Sequence, residues 1–210
     1  METVDLVKWA IPEPEECQQA AEEIRRTYPG LTPEELASKT IQKTKRTVAA
    51  GGAAAGALAN PIVLVPAALA DIGTTLRMEG KLAGTIAVLL DPDSTRDRDA
   101  FAADILAVLF ASTVTQVLKE LGEEAADRAT KVVIRKYLKK GLLKVLLKSS
   151  CKYLAIRIAR RALITKTIPL LGSAIGATWN WVEAKTVGRR ALRYHRKRAS
   201  GRLLDHPNSY

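Results

Sequence analysis

The chain is short of most residues that carry chemistry. Across its 210 residues it has two cysteines and two histidines. Cys17 and Cys151 are too few for a disulfide framework and lack metal-ligand spacing, so both read as ordinary thiols of a reducing compartment. His195 and His206 both lie near the C-terminus, where His195 reads as a solvated tail residue. A histidine metal site or a Ser-His-Asp triad would need partners that the body of the chain lacks, and the expectation is a non-enzymatic protein without cofactor or metal. No GxGxxG or GxxxxGK[ST] run follows a strand-like segment, which removes the standard phosphate cradles. The N-terminal stretch has no basic segment leading into a long apolar run, so no signal peptide is expected and the cytoplasm is the default.

Negative charge is also scarce where it would balance the rest. Lys and Arg number 33 against 22 Asp and Glu, a net charge of +11. From Lys131 to Arg202 about twenty bases face the single acid Glu183, whereas residues 1 to 35 hold about nine acids and three bases. Such a balance selects acidic partners, anionic lipid or nucleic acid, without choosing between them.

Alternating β-branched runs framed by hairpin turns are missing, while Ala, Leu, Lys and Glu dominate, so the chain reads as all-α, a single-domain bundle of several helices. A first amphipathic helix is expected over about 13–28, stopped by Pro29-Gly30. The next starts at Thr32 with Pro33 in its first turn and Glu35 completing a capping box. It runs into Val48 to Asp71, where about 23 positions carry no charge before Asp71, enough in length for a bilayer. Alanine and glycine supply little transfer energy, and Asn60-Pro61 and Pro66 are expected to split the run into halves too short to cross. The reading is therefore a buried or interfacial hairpin. The loop Asp91 to Asp99 departs from a calcium loop at its sixth and twelfth positions and reads as caps for the helix expected over 100–121.

Three glycine pairs at four-residue spacing, Gly52/Gly56, Gly80/Gly84 and Gly172/Gly176, each clear one helix face for close approach of a second backbone, and read as helix-packing positions. Asp71, Arg77, Glu79 and Lys81 interrupt apolar blocks, either as ion pairs and caps or as a polar spot lining a cavity for a lipid headgroup. A cationic segment sets Lys136, Lys140, Lys144 and Lys148 at helical steps beside Arg135 and Lys139, and continues through Arg160 and Arg161. With Arg189, Arg190 and Arg193 these are the expected membrane and anion contacts, where lysine stems cover apolar surface and their heads reach phosphates. Nucleic acid ranks below lipid: Tyr194 offers one stacking ring rather than a repeated platform, and no helix-turn-helix or zinc-finger signature accompanies it.

The stretches YPGLTPEELASKTIQKTKR, LAGTIAVLLDPDS followed by FAADILAVLF, and above all KTIPLLGSAIGATWNWVEAKTVGRRA resemble the EcsC family of bacterial proteins. The most specific part is Ile168, Pro169, Gly172, Gly176 and Asn180 in order, and the resemblance spans about Tyr28 to Ala191. It implies a helical, non-catalytic protein linked to membrane processes, from a family named for a gene beside an ABC-transporter operon. The resulting division is an acidic helical segment over 1–30, an EcsC-like helical domain over 31–192 and a basic tail over 193–210. The expected role is peripheral association with anionic lipid on the cytoplasmic side of the inner membrane, with a transporter or another protein as a further partner. A soluble carrier with a buried apolar cavity is the alternative, and nucleic-acid binding by the tail the second. The oligomeric state is left open.

Overall fold

The structure is a computed structural model, and it describes residues 3–56, 61–111, 151 and 172–205. Among these residues the fold is all-α, without strands. The helices are α1 (Thr3–Ala10), α2 (Pro14–Thr27), α3 (Pro33–Gly56), α4 (Pro61–Leu90), a 3-10 turn (Pro92–Thr95), α5 (Arg98–Leu109) and α6 (Gly172–Asp205).

Local chemistry sets most of the boundaries. α2 begins with Pro14, whose missing N–H is one that a first turn leaves unbonded anyway, and it ends at the Pro29-Gly30 turn, where Gly30 takes a φ of 82° that favours glycine. α3 opens on the expected capping box. The Thr32 hydroxyl accepts from the Glu35 N–H at 3.3 Å, and the Glu35 carboxylate accepts from the Thr32 N–H at 2.8 Å. These bonds hold the Glu35 carboxyl below its ordinary range. Thr32→Ala should lower stability by about 1 kcal/mol in urea unfolding, and an unchanged midpoint would show that the cap is idle.

α4 passes without a break through Pro66, so the split expected there does not occur. Pro61 takes the first helical position, and Pro66 comes early enough that its missing N–H deprives only the carbonyl of Ile62 of a helical partner. Residues 57–60, between α3 and α4, lie outside the described residues. No described helix is long and apolar enough to cross a membrane. At the other end, α5 stops at Leu109, with Phe110 at φ −117° and ψ 38°. The single helix expected over 100–121 is thus interrupted, at a position where no Gly, Pro or Asn marks it in sequence.

α4 is the central element, touching α1, α2, α3, α5 and α6. Its buried Ile72, Leu76, Leu82 and Ile86 meet Phe101, Ile105 and Leu106 of α5 and Leu6 and Val7 of α1 in one core. The Gly80/Gly84 pair acts as expected. A Cβ on Gly80 would strike the Ala10 carbonyl, and one on Gly84 would lie 2.5 Å from Cys17 Sγ and 2.9 Å from Phe101 Cζ. Gly73, seven residues earlier and unpaired in sequence, extends the same stripe under Leu6 and Trp9.

α3 and α6 run antiparallel and form the most extensive helix pair. Asn180 donates to the Val48 carbonyl at 3.1 Å, and Gly188 backs directly onto Ile41. Each turn forward along α3 is matched by a turn back along α6. That register brings Ala191 level with Ala37, while the surroundings of the Gly52/Gly56 and Gly172/Gly176 pairs lie outside the described part.

Arginines from neighbouring helices satisfy three helix C-termini. Arg77 of α4 donates to the Trp9 and Ile11 carbonyls at 2.9 and 2.7 Å, Arg25 of α2 to the Val88 carbonyl at 3.3 Å, and Arg190 of α6 to the Val108 carbonyl at 2.9 Å. Each places a cation at the negative end of a helix dipole and occupies a carbonyl without an intrahelical donor.

Candidate functional site

The N-terminal acids are largely occupied in docking. Glu13 and Glu15 pair with Arg98, Glu16 with Arg77, and Glu23 with Lys43. Hydrogen bonds from its own backbone and from Arg98 hold the Glu15 carboxyl low, and Lys43 does the same for Glu23. The acidic loop behaves as caps. Asp97 accepts from the Ala100 N–H at 3.0 Å at the start of α5, Asp91 accepts from the Asp93 N–H at 3.2 Å, and Asp93 pairs with Arg96 at 3.0 Å. Among the described residues no group of three His, Cys, Asp or Glu is placed to hold a metal ion.

Three of the charged residues of α4 have described side chains. Arg77 turns to the α1–α2 corner, Lys81 one turn later is exposed, and Glu79 points the opposite way and is fully buried. The Asp71 side chain lies outside the described part. The side chains of the cationic segment, Arg135, Lys136, Lys139, Lys140, Lys144, Lys148, Arg160 and Arg161, lie outside it as well.

α6 corrects the reading of the C-terminus. Within the tail expected over 193–210, residues 193–205 are the last turns of this helix, which runs to Asp205. His195 is 1 % exposed rather than solvated, because it shares one face with Ala184, Gly188 and Ala191 at helical steps. Next to it, the Tyr194 hydroxyl donates to Asp104 Oδ1 of α5 at 2.7 Å, and Arg198 pairs with Asp104 Oδ2. Burial drives the Tyr194 hydroxyl well above the ordinary phenol range, so it stays protonated and available as a donor. The sequence signal for this cluster was Asp104 itself, the one charge inside FAADILAVLF, facing a Tyr and an Arg four residues apart.

Three sectors then divide α6. The face toward the core carries Asn180, Ala184, Val187, Ala191 and His195. One flank holds Arg190, Tyr194 and Arg198 against α5. On the other flank, toward α3, the Trp181 ring lies under two ammonium groups, Lys45 of α3 at 4.7 Å and Lys185 of α6 at 4.8 Å from its centroid. The solvent face begins with exposed Trp179 and Val182 and continues, at steps of three or four, into Arg189, Arg193, Arg196 and Lys197. Of the three arginines expected to contact anions here, Arg189 and Arg193 stand on this face. Arg190 is turned inward onto α5.

Cys17 is buried against Gly84, and its thiol is pushed up to about 12, chiefly by burial and secondarily by the neighbouring Glu16. Between its ordinary value of 9.0 and about 12, the unfolded chain has lost this proton and the folded chain keeps it. Stability must therefore fall as pH rises above 9, by up to about 1.4 kcal/mol per pH unit for this group. Urea midpoints between pH 8 and 11 should drop more steeply in the wild type than in Cys17→Ala. Parallel curves would contradict the assignment.

No protein-family model, curated protein or solved structure matches the chain.

Proposed function

We propose that the protein is a non-enzymatic peripheral protein of EcsC type, which docks on anionic lipid at the cytoplasmic face of a bacterial inner membrane and supports a membrane- or transport-linked process. The observation that carries this reading is the solvent face of α6, an apolar start at Trp179 and Val182 followed on the same stripe by four cations. Trp179 is 38 % and Val182 48 % exposed, on a helix whose opposite face is packed in the core. A large aromatic ring and a branched side chain held in water gain by entering the headgroup boundary, and arginines on the same face gain by reaching lipid phosphates. Each cation near an anionic surface contributes about 1 kcal/mol, so four acting together favour the bound state by on the order of a thousandfold. Exposed Lys39 and Arg46 on α3 and the excess of bases over 131–166 add the same sign.

Replacing Arg189, Arg193, Arg196 and Lys197 by Gln should weaken binding to anionic vesicles by on the order of a hundredfold or more. These side chains lie away from the core-facing sector, so the fold should survive the change. Unchanged vesicle affinity in a folded variant would contradict this face as the docking surface.

A further inference from the structure

We infer that Lys45, Trp181 and Lys185 form a phosphate-binding site at the α3–α6 seam, suited to a phosphomonoester dianion rather than to negative charge in general. The inference deepens the membrane reading above and rests on it for the source of the phosphate.

Two ammonium groups stand 4.7 and 4.8 Å from the centroid of the same indole ring. Those two distances bound the separation at about 9.5 Å, a limit reached only with the ammonium groups on opposite faces of the ring. Each comes from a different helix, and the register fixed by Asn180 on Val48 and Gly188 on Ile41 holds the two backbones in place. Among the described residues neither lysine is in an ion pair, unlike Lys43, which is joined to Glu23. The nearest acid along α6, Glu183, is two positions from Lys185 and so projects from the opposite flank of the helix. Exposed Arg46 follows Lys45, and exposed Arg189 lies one turn beyond Lys185, which keeps the surrounding potential positive.

An indole face attracts each cation but supplies no net negative charge, so the repulsion between the two ammonium groups is left uncompensated. A phosphate compensates it. Its oxygens accept from ammonium groups at about 2.8 Å, so one phosphate bridges two such nitrogens up to about 8 Å apart, as when both stand on one face of the ring. A monoester carries about −1.5 to −2 charges at pH 7 and matches two ammonium groups, whereas a diester carries one and is more shielded by its second ester arm. Trp181 is half-buried, with exposed Val182 next to it along the helix and exposed Trp179 two positions before it. The phosphate would therefore lie at the depth of a lipid headgroup when the α6 face is on a membrane.

Two arms test this. In solution, inorganic phosphate is titrated into Trp9→Phe/Trp179→Phe, which leaves Trp181 as the sole indole, while its fluorescence is read. A saturable change that is absent in the same background with Lys45→Gln/Lys185→Gln is expected, and no saturable change overturns the site. On membranes, the otherwise wild-type protein is compared on phosphatidic acid and phosphatidylglycerol vesicles of equal surface charge. The expected result is at least a fivefold preference for phosphatidic acid, lost in Lys45→Gln/Lys185→Gln and retained in Lys45→Arg/Lys185→Arg. Equal binding to both vesicles overturns the monoester preference while leaving anionic-surface docking intact. Binding to neither vesicle, with a saturable phosphate response in solution, keeps the site, assigns it to a free phosphate and overturns the membrane reading. Circular dichroism and thermal melting confirm that each variant is folded before its binding is read.

Discussion

Gly80→Ala will destabilise the protein by about 3 kcal/mol, although alanine is the better helix former by about 1 kcal/mol. The added methyl group meets the Ala10 carbonyl oxygen, which belongs to the backbone and cannot rotate away, and it lies 3.4 Å from the Pro12 ring. Retreat of that corner is resisted from one turn earlier in α4, where Arg77 holds the Trp9 and Ile11 carbonyls and pairs with Glu16. Relief of the clash therefore lengthens charge-assisted hydrogen bonds worth about 1.5–3 kcal/mol each. At the usual conversion for a chain of this size, the melting temperature should fall by about 6–12 °C. Gly51→Ala is the control, because it lies on α3 with nothing within 4 Å of its would-be Cβ and should gain about 1 kcal/mol. Equal melting temperatures for the two variants would mean that α1 does not seat on α4 as described.

Asp104→Ala will cost about 3 kcal/mol for a different reason. The carboxylate is 2 % exposed and serves two donors on α6, the Tyr194 hydroxyl and the Arg198 guanidinium. Removing it strands both, and breaking one side of a buried ion pair typically costs 3–5 kcal/mol. Arg198 keeps 23 % of its side-chain surface in water, which places the loss at the lower end. Tyr194→Phe removes one neutral-to-charged hydrogen bond and should cost about 1–2 kcal/mol. Because the three groups act together, Asp104→Ala combined with Arg198→Met should be less damaging than the two single changes added, by 1 kcal/mol or more. Strict additivity in urea unfolding would show that the pair does not couple α5 to α6.

What could be read in the sequence was whatever depended on neighbours along the chain. The Pro29-Gly30 stop, the Thr32–Glu35 box and the Asp97 cap are local signals, and the helices obey them. Gly80 and Gly84 also announced a close contact, through spacing alone. Burial of His195 was not legible, because its run is rich in bases and the partners that cover its face belong to helices far away in sequence. The same applies to Arg77, Arg25 and Arg190, where a surface charge and a helix cap look identical until the carbonyl they reach is known. α1 lacked a start signal strong enough to separate it from an irregular N-terminus. Lys45 and Lys185 meet over Trp181 only because α3 and α6 lie antiparallel in one register, which no local pattern specifies.

Docking on anionic membranes through the outer face of α6 is tested most directly by sedimentation of the purified protein with vesicles, neutral against anionic, at low and high salt. Sedimentation is expected with anionic vesicles only, at low ionic strength. Most of that binding should be lost at high salt, where the screening length falls to about 3 Å at 1 M. Protein that stays in the supernatant with anionic vesicles at low salt, or that binds neutral vesicles equally well, would contradict it.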